Sequence, residues 1–163
     1  MEDNKTQGKA ERKVERVVVM VRPHIIKYGE GAVRDIRNFY LADPELKIIK
    51  TLRQTFTKEK AAKFYAEHKN KFFFDNLLDT TTAGESVVFL IEGFNAIEKV
   101  RKINGPTDPR KNPDETTIRG KYGVKVAPEE TDSGSKNAVH GSDSSESAKR
   151  EEEIIFDSLK GLN

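Results

Sequence analysis

The chain contains no cysteine among its 163 residues. Disulfides, thiolate nucleophiles and Cys-based zinc or iron–sulfur sites are excluded together. Its three histidines, at positions 24, 68 and 140, do not form a metal-ligand spacing such as H-x-x-x-H. No segment approaches the roughly 18 consecutive apolar residues of a membrane-spanning helix. Neither sign of charge dominates: 29 Lys and Arg face 27 Asp and Glu, a formal net charge of +2. No global field therefore draws the chain to nucleic acid or to a membrane surface. Residues 1–13 are polar and charged, without the apolar stretch of a signal peptide, and read as a disordered lead-in. The remainder, 14–163, has the length of one domain, and a soluble cytoplasmic protein is the expectation.

What is present is an alternation of strand-like and helix-like segments. Val17-Val18-Val19-Met20-Val21 is an apolar run of strand length, and its continuity predicts a central strand buried on both faces. A helical pattern follows from about Gly31 (Ala32, Val33, Ile36, Phe39, Tyr40). Asp43-Pro44 marks a turn, and Leu46, Ile48, Ile49 and Leu52 a second strand. Thr57 is a plausible N-cap for a helix running to about His68; that helix would leave His68 on the surface. Phe72-Phe73-Phe74 and Leu77-Leu78 belong to a further helical or turn segment. Ser86–Ile91 reads as a third strand and Asn95–Ile103 as a helix. The Gly-, Pro-, Asp- and Asn-rich stretch 104–117 reads as a loop, Tyr122–Val126 as a short alternating segment, and about 127–136 as an exposed polar insertion. A last helix spans about Ser144–Phe156, with Asp143 and Glu146 a candidate capping box. Four strands with intervening helices point to an α/β (α+β sandwich) architecture, a ferredoxin-like four-stranded antiparallel sheet with helices packed on it.

The most informative stretch is Asn137-Ala138-Val139-His140-Gly141-Ser142-Asp143-Ser144. Ala138-Val139 delivers His140 from a short strand, Gly141 lets the backbone turn, and Ser142, Asp143 and Ser144 are candidate N-caps for the following helix. A histidine at such a junction faces backbone N–H groups and the positive end of a helix dipole, a setting that favours phosphate.

Taken in chain order, several separated segments match one family. They are Glu15–Val21 followed by Arg22-Pro23, Tyr65 with Phe72-Phe73-Phe74 and Leu77, Glu92-Gly93 with Asn95, Arg101 with Gly105-Pro106-Thr107-Asp108-Pro109, Thr117-Ile118-Arg119-Gly120, and Asn137–Asp143. Over about residues 15–156 the chain resembles the nucleoside diphosphate kinases. The resemblance implies ping-pong transfer of the γ-phosphoryl group of a nucleoside triphosphate, through a phosphohistidine on His140, to a nucleoside diphosphate. It implies that Glu151 accepts a hydrogen bond from the other ring nitrogen, that Ser142 hydrogen-bonds Glu151, and that Tyr65 lies near the transferring phosphate. Arg22, Arg101, Arg119 and Thr107 would hold the phosphates, Asn137 the sugar, and Phe73 the base by stacking between Leu77 and Val126. As a plain core feature, the Phe triplet should bury at least one ring, with Phe72 or Phe74 the one expected in the core. Mg²⁺ would ride on the nucleotide phosphates with no direct protein ligand, and a homo-oligomer, tetramer or hexamer, would be the working form. Eleven residues of continuous helix span about 16 Å, so contact between His140 and Glu151 requires the strand to fold back beside the last helix. Glu152 and Glu153 are neighbours that leave the register open by one.

The chain also departs from the family pattern. Where the family's first strand normally ends Lys-Pro-Asp-Gly, this one reads Arg22-Pro23-His24-Ile25. The arginine keeps the charge but presents a fork in place of a point, and the turn after it should differ. Glu115-Thr116 replaces the usual Pro-Gly, and the 127–136 insertion precedes Asn137. These departures leave an alternative open: a nucleotide-binding regulatory protein of the same fold, with weak or no turnover. An RNA-binding module on the same scaffold is disfavoured, because the chain lacks an aromatic-basic RNP-type strand and a basic excess.

Overall fold

The structure, a computed structural model, describes residues 12–111, 115–124 and 136–157. In chain order its elements are β1 (Val14–Val21), α1 (Pro23–Ile26), α2 (Glu30–Leu41), β2 (Leu46–Gln54), α3 (Lys58–Phe64), α4 (Phe74–Thr82), β3 (Ser86–Phe94), α5 (Ala96–Asn104), α6 (Ile118–Tyr122), β4 (Val139–Gly141) and α7 (Ser145–Ile155). Short 3-10 turns cover Ala66–His68 and Pro109–Lys111. The strands form one antiparallel sheet in the order β2-β3-β1-β4, the expected ferredoxin-like arrangement.

The apolar run of β1 explains its central place. Val17 to Val21 are all 0% exposed, and the strand alternation sends them to two different cores. Val17, Val19 and Val21 pack with Val33, Ile36 and Tyr40 of α2 and Val100 of α5. Val18 and Met20 face the other way, onto Phe64 of α3, Leu77 of α4 and Ile155 of α7. The sheet is thus a partition between two helical layers, and the functional chemistry lies over the second. In β2 the Ile48-Ile49 pair breaks the alternation because a register shift falls between Ile48 and Lys50, which leaves Ile49 38% exposed on this edge strand.

Local signals account for most of the boundaries. Thr57 caps α3, its hydroxyl accepting from the Lys60 N–H at 3.1 Å. The regular helix stops at Phe64 and tightens into the 3-10 turn through His68. The loop ends at Thr117, which caps α6: its hydroxyl accepts from the Gly120 N–H at 3.0 Å, and Ile118 is fully buried. Helix α7 is capped by Ser144, whose hydroxyl accepts from the Ser147 N–H at 3.1 Å, and not by an Asp143–Glu146 box. Asp143 stays exposed. Residues 1–11, Val126 and positions 127–135 of the polar insertion lie outside the described residues.

Candidate functional site

Strand β4 is only three residues long, yet its register fixes the site. His140 pairs with Met20 of β1, so both side chains share one face of the sheet, the face covered by α3, α4 and α7. The His140 ring meets Phe64 edge-on at 4.8 Å and Tyr65 at 5.6 Å between centroids. Its side chain remains 13% exposed toward a cavity. The sheet does fold back beside α7: His140 Nε2 lies 2.6 Å from Glu151 Oε1, and the Ser142 hydroxyl donates to the same oxygen at 2.9 Å. Glu151 is 1% exposed, whereas Glu152 pairs with Arg16 at 3.0 Å and Glu153 is exposed; the register ambiguity among the three glutamates is gone. With two donors converging on one carboxylate oxygen, Nε2 is the ring nitrogen that carries the proton. Nδ1 keeps its lone pair, the arrangement a nucleophilic imidazole needs.

Ser142 does a second job. Its hydroxyl accepts from the Val18 N–H at 3.0 Å while its own N–H donates to the Val18 carbonyl at 3.1 Å, extending the ladder past the end of β4. Gly141 is needed for proximity and not for a turn. It closes β4 opposite Val19, and a Cβ there would stand 2.7 Å from Asn104 Nδ2, an amide whose oxygen already accepts from the Tyr40 hydroxyl at 2.6 Å. The unusual backbone lies two residues before His140. Ala138 adopts φ 83°, a left-handed conformation that costs a non-glycine residue about 1–3 kcal/mol. It is held there by its neighbours, with the Arg22 N–H donating to the Ala138 carbonyl at 3.0 Å.

The cavity, of about 410 Å³, is lined by His140, Glu151, Tyr65, Arg22, Arg101, Arg119, Thr107, Asn137, Phe73 and Leu77 together with Glu67, His68, Phe72, Gly141 and Asp143. Arg22 is 4% exposed and doubly anchored: Nε donates to Asn137 Oδ1 at 3.2 Å and Nη1 to the Tyr65 hydroxyl at 3.0 Å. Asn137 Nδ2 in turn donates to the Thr107 carbonyl at 3.1 Å. Arg119 reaches in from α6 and donates to the carbonyls of Gly105 (2.8 Å) and Val139 (2.9 Å). Burial, reinforced by the charge of Arg22, pushes the Arg119 guanidinium down to about 10, so it is still a cation at neutral pH. Burial also raises the Tyr65 phenol, against the pull of Arg22, and it stays neutral. Arg101 and Thr107 are exposed at the cavity edge. Ser142 lies buried behind Glu151 and does not reach the cavity wall.

Of the two rings offered for the core, Phe74 is the one that packs there, and the expectation for His68 is corrected. Phe72 is 70% exposed, because it sits in the turn before α4 and points away from the core that receives Phe74; its ring packs edge-on against Phe73 at 5.4 Å. Phe73 is half-buried and leans on the core beside Leu77. His68 is not a bystander on a helix surface. The 3-10 turn swings its ring to 5.4 Å from Phe73 and 6.3 Å from Tyr65, inside the cavity lining. The turn after Tyr65 also brings Glu67 to the wall. Nothing in periodicity marks His68 or Glu67, since their placement depends on α3 ending at Phe64.

His24, the residue after Pro23, lies behind the site. Burial and the charges of Arg22, Lys136 and Lys27 push its imidazole down to about 4, so it is neutral there and adds no cation. Among the described residues no group of three or more His, Asp or Glu side chains is arranged to hold a metal ion, and no helix is long and apolar enough to cross a membrane.

A ferredoxin-like sheet carrying a histidine with a fixed tautomer, in a cavity lined by three arginines, the exposed Phe72 and the half-buried Phe73, defines a class: an α/β protein with a pocket suited to a phosphorylated, base-bearing ligand. Comparison with known proteins narrows the class. Residues 15–160 match the family model described as nucleoside diphosphate kinase. The chain is 39% identical over 148 residues to the nucleoside diphosphate kinase of Halalkalibacterium halodurans, covering 89% of this chain and 90% of the relative. It is 40% identical over 143 residues to that of Staphylothermus marinus, covering 87% and 92%. Among solved structures, the nucleoside diphosphate kinase of Aquifex aeolicus superposes with a TM-score of 0.76 at 36% identity, covering 90% of this chain and 98% of that one. The chain belongs to the nucleoside diphosphate kinase family.

Proposed function

We propose that the protein moves the γ-phosphoryl group of a nucleoside triphosphate to a nucleoside diphosphate by way of His140. The observation that carries this reading is the 2.6 Å contact between His140 Nε2 and the buried Glu151 inside the arginine-lined cavity. In the first half-reaction the Nδ1 lone pair forms the N–P bond as the bond between Pγ and the bridging oxygen breaks, and the nucleoside diphosphate leaves with that electron pair. The imidazole gains positive charge, which the Glu151 carboxylate offsets at hydrogen-bond distance. In the second half-reaction a terminal phosphate oxygen of another nucleoside diphosphate takes the phosphoryl group, and the ring returns to its neutral state. The protein's work is positioning and charge neutralisation.

Arg22, Arg101 and Arg119 hold the phosphates, with Thr107 and Tyr65 beside the transferring group. Asn137 takes the sugar, and Phe73 with Leu77 takes the base. Stacking accepts any base face, which suits an enzyme indifferent to purine or pyrimidine. Mg²⁺ would supply charge neutralisation on the nucleotide phosphates, and Asp143, exposed on the cavity wall, is a carboxylate that would help to hold it. Arg22 is built into the cavity by two hydrogen bonds, which favours turnover over a regulatory role. We also place the chain in a homo-oligomer; the outer side of β2, with Ile49 exposed, is an open sheet edge suited to such pairing.

The test is incubation with γ-labelled ATP and Mg²⁺ followed by a chase with GDP, run beside His140→Ala. Acid-labile label that forms on the protein, moves to GDP and is absent from the variant is the expected result. An unlabelled wild-type protein refutes the reading.

A further inference from the structure

Arg150, on α7 next to Glu151, holds four groups of the site's surroundings at once. Its Nη1 donates to the carbonyls of Lys63 at 3.0 Å and Phe64 at 3.1 Å, the last turn of α3, where helical carbonyls otherwise lack partners. Its Nη2 pairs with the carboxylate of Glu67 and stands 3.9 Å from Glu151 Oε2. The residues at and just beyond these carbonyls belong to the site. Phe64 puts its ring against His140, Tyr65 meets Arg22, and the turn Ala66–His68 carries Glu67 and His68 into the cavity wall. Glu67 is the misfit among these. A carboxylate lining a pocket for polyphosphate repels its ligand unless a cation neutralises it.

We propose that Arg150 is a positioning residue for phosphoryl transfer: it clips the Tyr65–His68 turn to the helix that bears Glu151, and it cancels the charge of Glu67 at the nucleotide pocket. The guanidinium is suited to this because its planar fork makes several hydrogen bonds in fixed directions. A lysine could oppose Glu67 but could not hold the two carbonyls and the carboxylate in one geometry. The inference rests on the phosphoryl-transfer reading of the site.

The test uses the full chain and measures the rate of His140 phosphorylation against the concentration of γ-labelled ATP with Mg²⁺. Arg150→Met should raise the half-saturating ATP concentration about fivefold, the factor expected of one uncompensated charge at a partly exposed site, and should lower the saturated rate several-fold. Adding Glu67→Gln to Arg150→Met should return the half-saturating concentration to near the wild-type value and leave the rate low. Arg150→Lys should behave like that double variant. A merely structural arginine would lower Tm without this split between binding and rate. The inference is overturned if Arg150→Met stays within twofold of wild type in both quantities, or if Glu67→Gln fails to restore binding. If Arg150→Met does not fold, Arg150→Lys decides alone: a wild-type saturated rate refutes the positioning role, and a reduced one supports it. An unlabelled wild-type protein overturns the phosphoryl-transfer reading and this inference with it.

Discussion

Glu151→Gln isolates the charge of one carboxylate. The glutamine has nearly the same shape and keeps an oxygen for the Ser142 hydroxyl, which now donates to Oε1 at 2.9 Å. What it loses is the negative charge 2.6 Å from His140 Nε2. As Nδ1 bonds to phosphorus, the ring acquires positive charge whose centre lies roughly 4 Å from that of the carboxylate. At an effective dielectric constant of about 20, a full pair at that distance is worth about 4 kcal/mol. With about half of the charge developed in the transition state, the loss is about 2 kcal/mol, or a roughly 30-fold slower phosphorylation. Rapid-quench measurement of a single turnover with γ-labelled ATP reads this directly. The nucleotide dissociation constant should not rise, because removing a negative charge from the cavity wall cannot weaken the hold on a polyanion. A variant labelled within threefold of the wild-type rate would refute the electrostatic role of Glu151 and reduce it to a spacer.

Phe73→Ala should weaken ADP binding by about 1–3 kcal/mol, the range for base stacking on an aromatic ring, with Phe72→Ala costing less; calorimetric titration that reverses this order would move the base onto Phe72. His24 binds its proton near 4 in the folded state against about 6.5 unfolded. Between those values the unfolded chain holds more protons, so stability falls as pH falls from about 6.5 to 4. The ceiling is about 3 kcal/mol, roughly halved by solvent screening of a part-exposed ring. His24→Gln should flatten that part of the stability curve, and equal slopes in urea titrations would exclude His24 as the cause. Arg22→Lys should lower stability by about 1–3 kcal/mol, because the single nitrogen of lysine cannot stand at both the Nε and Nη1 positions from which the arginine reaches Asn137 Oδ1 and the Tyr65 hydroxyl. A rise in turnover would instead show that the arginine impedes transfer.

The elements legible in the sequence are those whose signal is local and periodic. The apolar run of β1 points to a doubly buried central strand, and Thr57 and Ser144 are short polar residues ahead of helical periodicity. The residues around His140 are legible as a pattern; their convergence is not. Glu151 reaches His140 because three residue pairs between β4 and β1 orient the histidine toward α7, a relation between segments more than 100 residues apart. His68 and Glu67 carry no signal because their position depends on a helix that stops at Phe64 and tightens. Gly141 is visible as a glycine, but its reason, the 2.7 Å approach to Asn104 Nδ2, belongs to tertiary packing. The exposure of Phe72 depends likewise on where α4 begins.

The costs of the site fall on three separate places in the chain. Ala138 holds a left-handed φ of 83°, Glu151 is a carboxylate at 1% exposure, and Arg119 is a half-buried cation whose buried Nε has no hydrogen-bond partner among the described residues. Arg22 and Arg119 also repel one another, as the depressed Arg119 guanidinium records. None of these features stabilises the chain alone. They persist because β4 is zipped to β1, whose five apolar residues are sealed between two cores. On the proposed reading, a polyphosphate held by Arg22 and Arg119 would place negative charge near both cations and relieve the repulsion that depresses Arg119. Groups that are costly to the fold alone would then become favourable contacts in the proposed transfer. On this view the sheet's central strand is deep and continuous because it must hold an edge strand too short and too strained to hold itself.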